Sequence, residues 1–167
     1  MPVGKDSDAL VSNGWTLYGH PIFIDHLDQL MTDVEALLRD DPDNAPHHRL
    51  WKLLECVMDC ILRRVPSNPD HADYRLGDTL GPANRHWRRA KKGMPQRYRL
   101  FFQYRSTAPK NIIYAWFNDE DTLRNAGGKR DCYAVFKRLV ASGRIPRSYE
   151  KLVAEAAVLA AELGKGA

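Results

Sequence analysis

Arginine and lysine side chains alternate along two neighbouring segments of this chain, in a pattern that suits contact with phosphate groups. Arg97 and Arg99 are two residues apart, and so are Arg89 and Lys91. In an extended strand, residues two apart project from the same face, so each segment presents a cationic pair. The planar guanidinium of arginine matches phosphate oxygens bidentately, and such an anion relieves the repulsion between clustered cations. The spacing therefore predicts a phosphate-binding surface.

The positive charge of the chain is concentrated around these pairs. The chain has 25 Lys or Arg and 21 Asp or Glu residues. No acidic residue lies between Asp78 and Asp119, and this segment holds nine cations: Arg85, Arg88, Arg89, Lys91, Lys92, Arg97, Arg99, Arg105 and Lys110. Aromatic residues interleave with them, and the rest of the chain is net negative. This favours a polyanion partner over the alternative, a solvated basic face without function.

The composition indicates a single domain with a real core. Of the 167 residues, 44% are hydrophobic, which argues against wholesale disorder. No apolar run approaches the roughly 18 residues that span a bilayer, and the first residues lack the apolar core of a secretion signal. The three cysteines fit a reducing compartment. We expect a cytoplasmic protein without membrane association.

Hydrophobic periodicity predicts the elements that must position the cationic pairs. Two amphipathic helices, at about 22–40 and 50–65, are expected to form an antiparallel hairpin. Three strands follow at about 86–92, 97–105 and 111–118, the last apolar on both sides as a central strand would be. A helix at about 129–141 and a terminal helix from Ser148 complete an α+β chain. The domain limits are 1–13, a flexible leader, 14–146, the main domain, and 147–167, a C-terminal helix.

The middle strand is expected to bury one face and expose the other. Its apolar side, with Tyr98, Leu100, Phe102 and Tyr104, should lie under the helices. Its other side should face solvent; it comprises Arg97, Arg99, Phe101, Gln103 and Arg105.

Three further features have competing interpretations. The carboxylates of Asn118–Arg124 could bind a metal, but helix N-cap chemistry is favoured. Cys56 and Cys60 could share an ion, but buried free thiols are favoured, and Cys132 lacks a recognisable histidine partner. We therefore predict no metal and no cofactor. Tyr133 is most simply a core residue with a tethered hydroxyl, although its position near the cations leaves a catalytic or base-stacking role open.

Several ordered motifs resemble a known family. The sequences at Asn13–Phe23, Arg97–Tyr104, Ile112–Arg124 and Gly128–Leu139 resemble those of the YhaV toxins of bacterial toxin–antitoxin modules. The wider layout is similar to the RelE superfamily of small endoribonucleases. The resemblance implies a RelE-like fold for 14–146, with an N-terminal helix hairpin packed on a small antiparallel sheet and followed by C-terminal helices.

The resemblance also implies an activity and partners. RelE-like enzymes cut single-stranded mRNA without metal, often on the ribosome. The 2′-hydroxyl of the RNA attacks the adjacent phosphorus and leaves a 2′,3′-cyclic phosphate. YhaV toxins are neutralised by an antitoxin of the PrlF type. Two alternatives stay open: a non-catalytic RNA- or ribosome-binding module, and a protein whose basic face receives an acidic partner segment.

The same resemblance assigns roles to individual residues. Arg99 corresponds to the strand arginine that holds the scissile phosphate, and Arg124 is chosen as the second phosphate clamp. The predicted catalytic set is Arg89, Lys91, Arg99, Arg124 and Tyr133; the predicted RNA-binding set is Trp87, Arg88, Lys92, Arg97, Lys129 and Arg130. Lys129 is also a rival to Arg124 as the clamp.

Lys91 is the preferred general base. Arginines packed around it would lower its pKa, by about one to three units if they lie within ~4–6 Å. Arg89 stays protonated and cannot act as the base. His86 ranks below Lys91 because it projects from the opposite side of the strand.

Overall fold

The computed structural model of the protein describes residues 9–165, without the side chain of Lys165, and shows an α+β fold. The strands are β1 (Val11–Ser12), β2 (Trp15–Gly19), β3 (Arg88–Ala90), β4 (Leu100–Arg105), β5 (Asn111–Phe117) and β6 (Ala157–Val158). The helices are α1 (Pro21–Asp40), α2 (Arg49–Asp59), α3 (Val65–Ser67), α4 (Cys132–Ala141), α5 (Tyr149–Glu155) and α6 (Glu162–Lys165). A π-helical turn, Cys60–Arg64, joins α2 to α3.

The two long N-terminal helices lie where the periodicity predicts them. The ring of His20 caps α1 by accepting a hydrogen bond from the amide of Ile22, and Asp40 ends the helix just before Pro42. Both helices bury an apolar stripe against the sheet, as amphipathic helices must. Within residues 9–165, no helix combines the length and the apolar character needed to cross a membrane.

The sheet is mixed, which corrects the prediction of a purely antiparallel sheet. Its order is β1-β2-β5-β4-β3, with β6 also paired to β2. β2 runs parallel to β5, whereas the β3–β4 and β4–β5 pairs are antiparallel. The chain leaves β2 through the helices and returns to β5 only after β4, so this pair is joined by a long crossover. All seven residues of β5 are buried, as predicted for a central strand.

The second face of the sheet is covered, so the prediction that it faces solvent is wrong. The ring of Phe101 is 0% exposed and stacks on Phe136 of α4, with ring centroids 4.1 Å apart. Gln103 and Arg99 are buried as well. The apolar stripe of α4 needs an apolar partner, and Phe101 of β4 with its neighbours on β5 provides one. The sheet is therefore enclosed between two helical layers.

The predicted single helix at 147–167 is also wrong. α5 ends at Glu155, and the chain then becomes extended and adds β6 to the edge of β2. The amide of Leu159 donates to the carbonyl of Leu17, and its side chain is buried in the core. These contacts outweigh the helical pattern of the segment. Residues 9–13 of the predicted leader likewise join the sheet through β1, while residues 1–8 lie outside the described part.

Candidate active site

The pairing of β3 with β4 brings two of the predicted arginines to the same face. Arg89 lies opposite Phe101 in the register, so its side chain projects toward the layer that contains α4. Arg99 precedes Phe101 by two residues and its side chain projects to that face as well. Both guanidinium groups therefore reach the first turn of α4, where Tyr133 lies.

The hydroxyl of Tyr133 joins these two arginines. It accepts hydrogen bonds from Nε of Arg89 at 2.9 Å and from Nε of Arg99 at 3.1 Å. The guanidinium carbon of Arg124 lies 4.9 Å from the centre of the Tyr133 ring. We call these four residues, Arg89, Arg99, Arg124 and Tyr133, the Tyr133 cluster. Because a phenol oxygen accepts two hydrogen bonds with its lone pairs, the O–H of Tyr133 remains able to donate to a ligand.

Asn118, at the end of β5, fixes the backbone around Arg99. Its buried side-chain oxygen accepts from the amide of Arg99 at 2.7 Å. Its side-chain nitrogen donates to the carbonyls of Arg97 and Thr122. Arg97 has φ = +72°, a strained value for a residue with a Cβ, and this network stabilises it. Sequence reasoning gave Asn118 no such role, because nothing local distinguishes it from other polar residues at strand ends.

Asp131 connects Arg124 to Tyr133. It caps α4 by accepting from the amide of Tyr133 at 3.2 Å, and its other oxygen accepts from Nη1 of Arg124 at 2.7 Å and from the amide of Asn125 at 2.7 Å. Burial raises the pKa of Asp131, but the hydrogen bonds from Arg124 and Asn125 outweigh it, so the pKa lies below its usual value. The sequence signal for Asp131 was available, since Asp just before a helix is a standard N-cap.

Replacing Asp131 with Asn should lower the stability of the protein and change how that stability depends on pH. A carboxyl whose pKa is lowered on folding stabilises the protein above its unfolded pKa, about 3.9, and that contribution is lost as the pH falls through the folded pKa. The free energy of unfolding should therefore fall less between pH 6 and pH 3 in Asp131→Asn than in the unchanged protein. Urea unfolding at several pH values measures this free energy, with Asp121→Asn as the control. If the free energy of unfolding falls equally with pH in Asp131→Asn and in the unchanged protein, the prediction is wrong.

Three of the predicted RNA-binding side chains lie away from the Tyr133 cluster. The ring of Trp87 is 0% exposed and packs edge-on against Phe136 at 4.9 Å, so it cannot stack on a base. Arg88 projects from the opposite face of β3, where its guanidinium lies over Tyr104 at 5.7 Å. Lys92 is exposed and forms an ion pair with Asp73 at 3.1 Å. These positions correct the prediction for Trp87 and separate Arg88 from the reacting group.

The other predicted cations are exposed. Lys91 directly follows β3; within residues 9–165 it has no side-chain hydrogen bond or ion pair, and its role as the base stays a prediction. Arg97 donates from Nε to the carbonyl of Arg124 at 2.9 Å, which ties it to the loop beside the cluster. Lys129 and Arg130 lie just before α4. The ring of His86 is 2.7 Å from the carbonyl of Arg147.

The nine cations of the acid-free segment do not form one continuous face. Arg85 pairs with Asp78, Arg105 lies over Tyr149 and Lys110 lies over Trp15. Arg99 and Arg105 are at opposite ends of β4, about 20 Å apart for an extended chain. The nine cations are therefore divided among several separate contacts in the structure, and only some of them lie at the Tyr133 cluster.

The structure supports helix-cap chemistry for the acidic loop. Asp119 forms a capping box with Thr122, as predicted, and Glu120 pairs with Arg49. Cys60 is buried as predicted, but Cys56 is only half-buried, which corrects the prediction that both thiols are buried. Burial raises the pKa of Cys60 to about 12 and that of Cys132 to about 11. Both thiols are therefore protonated at neutral pH, and neither is an activated nucleophile.

Comparison with known proteins identifies the family of the chain. A family model described as a toxin with endonuclease activity, of a toxin–antitoxin system, matches residues 17–157. The chain belongs to the YhaV toxin family. It is thus a toxin with endonuclease activity, and membership implies a cognate antitoxin. All four residues of the Tyr133 cluster lie inside the matched region.

Curated YhaV proteins extend the similarity over most of the chain. Toxin YhaV of Escherichia coli O6:H1 (strain CFT073) is 43% identical over 144 residues, which cover 86% of this chain and 92% of the relative. Ribonuclease toxin YhaV of Escherichia coli K12 is 42% identical with the same coverage. No solved structure matches the chain.

Proposed function

We propose that this YhaV-family protein is an endoribonuclease that cuts mRNA at the Tyr133 cluster, by attack of the 2′-hydroxyl of the RNA on the adjacent phosphorus. The observation that carries the proposal is the Tyr133 oxygen, held between Nε of Arg89 and Nε of Arg99. Three guanidinium groups around one phenol form a concentrated, pre-arranged positive site. The name of the K12 relative, a ribonuclease toxin, supports RNA as the substrate.

The guanidinium groups are placed to stabilise the charge that develops during cleavage. Attack on phosphorus concentrates negative charge on the non-bridging oxygens. Arg99 uses Nε for Tyr133 and Nη1 for the carbonyl of Tyr98, and Arg89 uses Nε and Nη1. Within residues 9–165, Nη2 of neither arginine has an acceptor, so these N–H groups are available to phosphate oxygens. Guanidinium groups fixed in this way stabilise the negative charge of the transition state without a metal ion.

The proton transfers follow from the bonds that form and break during cleavage. The bond from the 2′-oxygen to phosphorus forms while the bond from phosphorus to the 5′-oxygen breaks, which yields the 2′,3′-cyclic phosphate and a 5′-hydroxyl. A base removes the 2′-proton; Lys91 is the proposed base, on the resemblance to the RelE superfamily and on its exposed position beside Arg89. The free O–H of Tyr133 gives its proton to the leaving 5′-oxygen, which completes the 5′-hydroxyl, and solvent water reprotonates the phenolate. The proposed physiological inhibitor is an antitoxin of the PrlF type that covers the Tyr133 cluster, and ribosome-bound mRNA is a proposed substrate.

Product analysis tests this function. Purified protein should cleave a defined mRNA in excess EDTA, and the upstream fragment should carry a cyclic phosphate, which acid converts to a phosphate that phosphatase removes. Parallel reactions with and without translating ribosomes define the substrate. A 3′-hydroxyl end, or loss of cleavage on chelation that metal restores, would contradict the proposed chemistry.

A further inference from the structure

The start of α4 and its solvent side carry a second basic region, outside the acid-free segment of the sequence. Residues 129–151 contain seven cations and two acids, and one of the acids, Asp131, is buried against Arg124. The four cations at or near α4 are exposed: Lys129, Arg130, Lys137 and Arg138. None of them takes part in an ion pair within residues 9–165.

These cations flank the Tyr133 cluster along the helix. Lys129 and Arg130 directly precede Asp131, so their Cα atoms lie within roughly 8 Å of it. Arg138 donates to the carbonyl of Lys129 at 2.7 Å, which fixes this turn against the helix. On the other side, Lys137 follows Tyr133 by four residues and therefore lies on the same helix face, about 6 Å further along the axis.

The side chain of Lys137 projects toward the loop before β3. Its Nζ is 4.0 Å from the position that a Cβ would occupy at Gly81. The backbone of β3 that follows this loop carries Arg89. Positive charge therefore lies on both sides of Tyr133 along α4, and within residues 9–165 none of these cations forms an ion pair; the nearby carboxylate of Asp131 is paired with Arg124.

We propose that α4 is the track for the RNA backbone, an inference that rests on the proposed function. Lys129 and Arg130 hold phosphate on one side of the scissile group, and Lys137 holds phosphate on the other side. Cations on both sides of a reacting centre suit the phosphates on both sides of the scissile group in a single-stranded nucleic acid. An amphipathic acidic protein segment would also need apolar surface, and two cavities with mainly apolar linings lie at α1, α2 and α6 rather than at α4.

Salt-dependent binding of a non-cleavable RNA tests the track. The probe is a 2′-O-methylated RNA of about 12 nucleotides, and the variants are Lys129→Gln/Arg130→Gln and Lys137→Gln. The slope of log Kd against log salt should fall in magnitude by about 0.7 for each contacting cation removed. Lys52→Gln is the matched control, because Lys52 is an exposed lysine on α2, in the opposite helical layer. Unchanged melting temperatures would show that the variants are folded.

The outcomes separate this inference from the proposed function. If the unchanged protein cleaves RNA but the α4 variants keep its salt slope, the track is wrong while the nuclease assignment stands. If the α4 variants keep the slope and instead weaken binding of the antitoxin, α4 is a protein-docking surface and the track is again wrong. If the unchanged protein does not cleave RNA, the proposed function fails. A reduced slope in the α4 variants alone supports the track.

Discussion

Arg99→Ala is expected to lower the single-turnover rate of RNA cleavage by about 10²–10³ while changing RNA affinity far less. Arg99 is 7% exposed, and its guanidinium is held by Tyr133 and by the carbonyl of Tyr98. It is thus pre-arranged to meet charge that appears in the transition state. Arg99→Lys should also be impaired, because an ammonium group lacks the planar fork that bonds Tyr133 and a phosphate oxygen together.

A matched arginine on the same strand provides the control. Arg105, at the opposite end of β4, lies over the ring of Tyr149 at 4.9 Å, and Arg105→Ala should leave cleavage within a few-fold of the original rate. Cleavage rates, affinity for 2′-O-methylated RNA and circular dichroism should be measured on all variants. Equal losses of cleavage and binding in Arg99→Ala would favour the alternative of a non-catalytic RNA-binding module.

Tyr133→Phe is expected to lower cleavage by about 10²–10⁴, the range of a positioned proton-transfer group. The substitution keeps the ring, which packs edge-on against Phe101 at 5.7 Å and beneath Arg124. It removes the acceptor shared by Arg89 and Arg99, together with the O–H proposed as the proton donor. Loss of hydrogen bonds to charged donors should also lower the free energy of unfolding by about 1–3 kcal/mol.

Tyr149→Phe is the matched control for this prediction. The hydroxyl of Tyr149 accepts a hydrogen bond from Asn111, and its ring lies under Arg105, so the local chemistry resembles that around Tyr133. Removal of this hydroxyl should leave the cleavage rate nearly unchanged. A Tyr133→Phe protein that cleaves as fast as Tyr149→Phe would exclude the hydroxyl from the reaction and leave Tyr133 as a packing residue.

The sequence predicted which residues come together at the site better than it predicted which elements pack around them. Alternation along each strand is a local property, so it paired Arg89 with Lys91 and Arg97 with Arg99 before any fold was known. It left open which face of β3 lies beside these arginines of the next strand, and the pairing of β3 with β4 puts Arg89 on the face of Arg99. Whether that face is open depends on where α4 returns, and this contact between distant segments leaves no periodic signal in the strands. For that reason Trp87 and Phe101 were expected near solvent, although both are fully buried.

The C-terminal segment and the loop beside the cluster show the same limit. The sequence through Leu159 does have a helical pattern. The segment is nevertheless extended, because it forms backbone hydrogen bonds with β2, including one from the amide of Leu159 to the carbonyl of Leu17. Asn118 and Asp131 acquire their roles only because Arg99 and Arg124 come next to them in space.

A crystal structure with bound RNA that carries a 2′-O-methyl group at the scissile nucleotide tests the central claim most directly. The account predicts the scissile phosphate against the Tyr133 cluster, with its oxygens within about 3 Å of guanidinium nitrogens of Arg89 and Arg99. It also predicts the Tyr133 hydroxyl within hydrogen-bond distance of that phosphate group. A scissile phosphate bound elsewhere on the protein, with the cluster unchanged and remote from the RNA, would contradict the account.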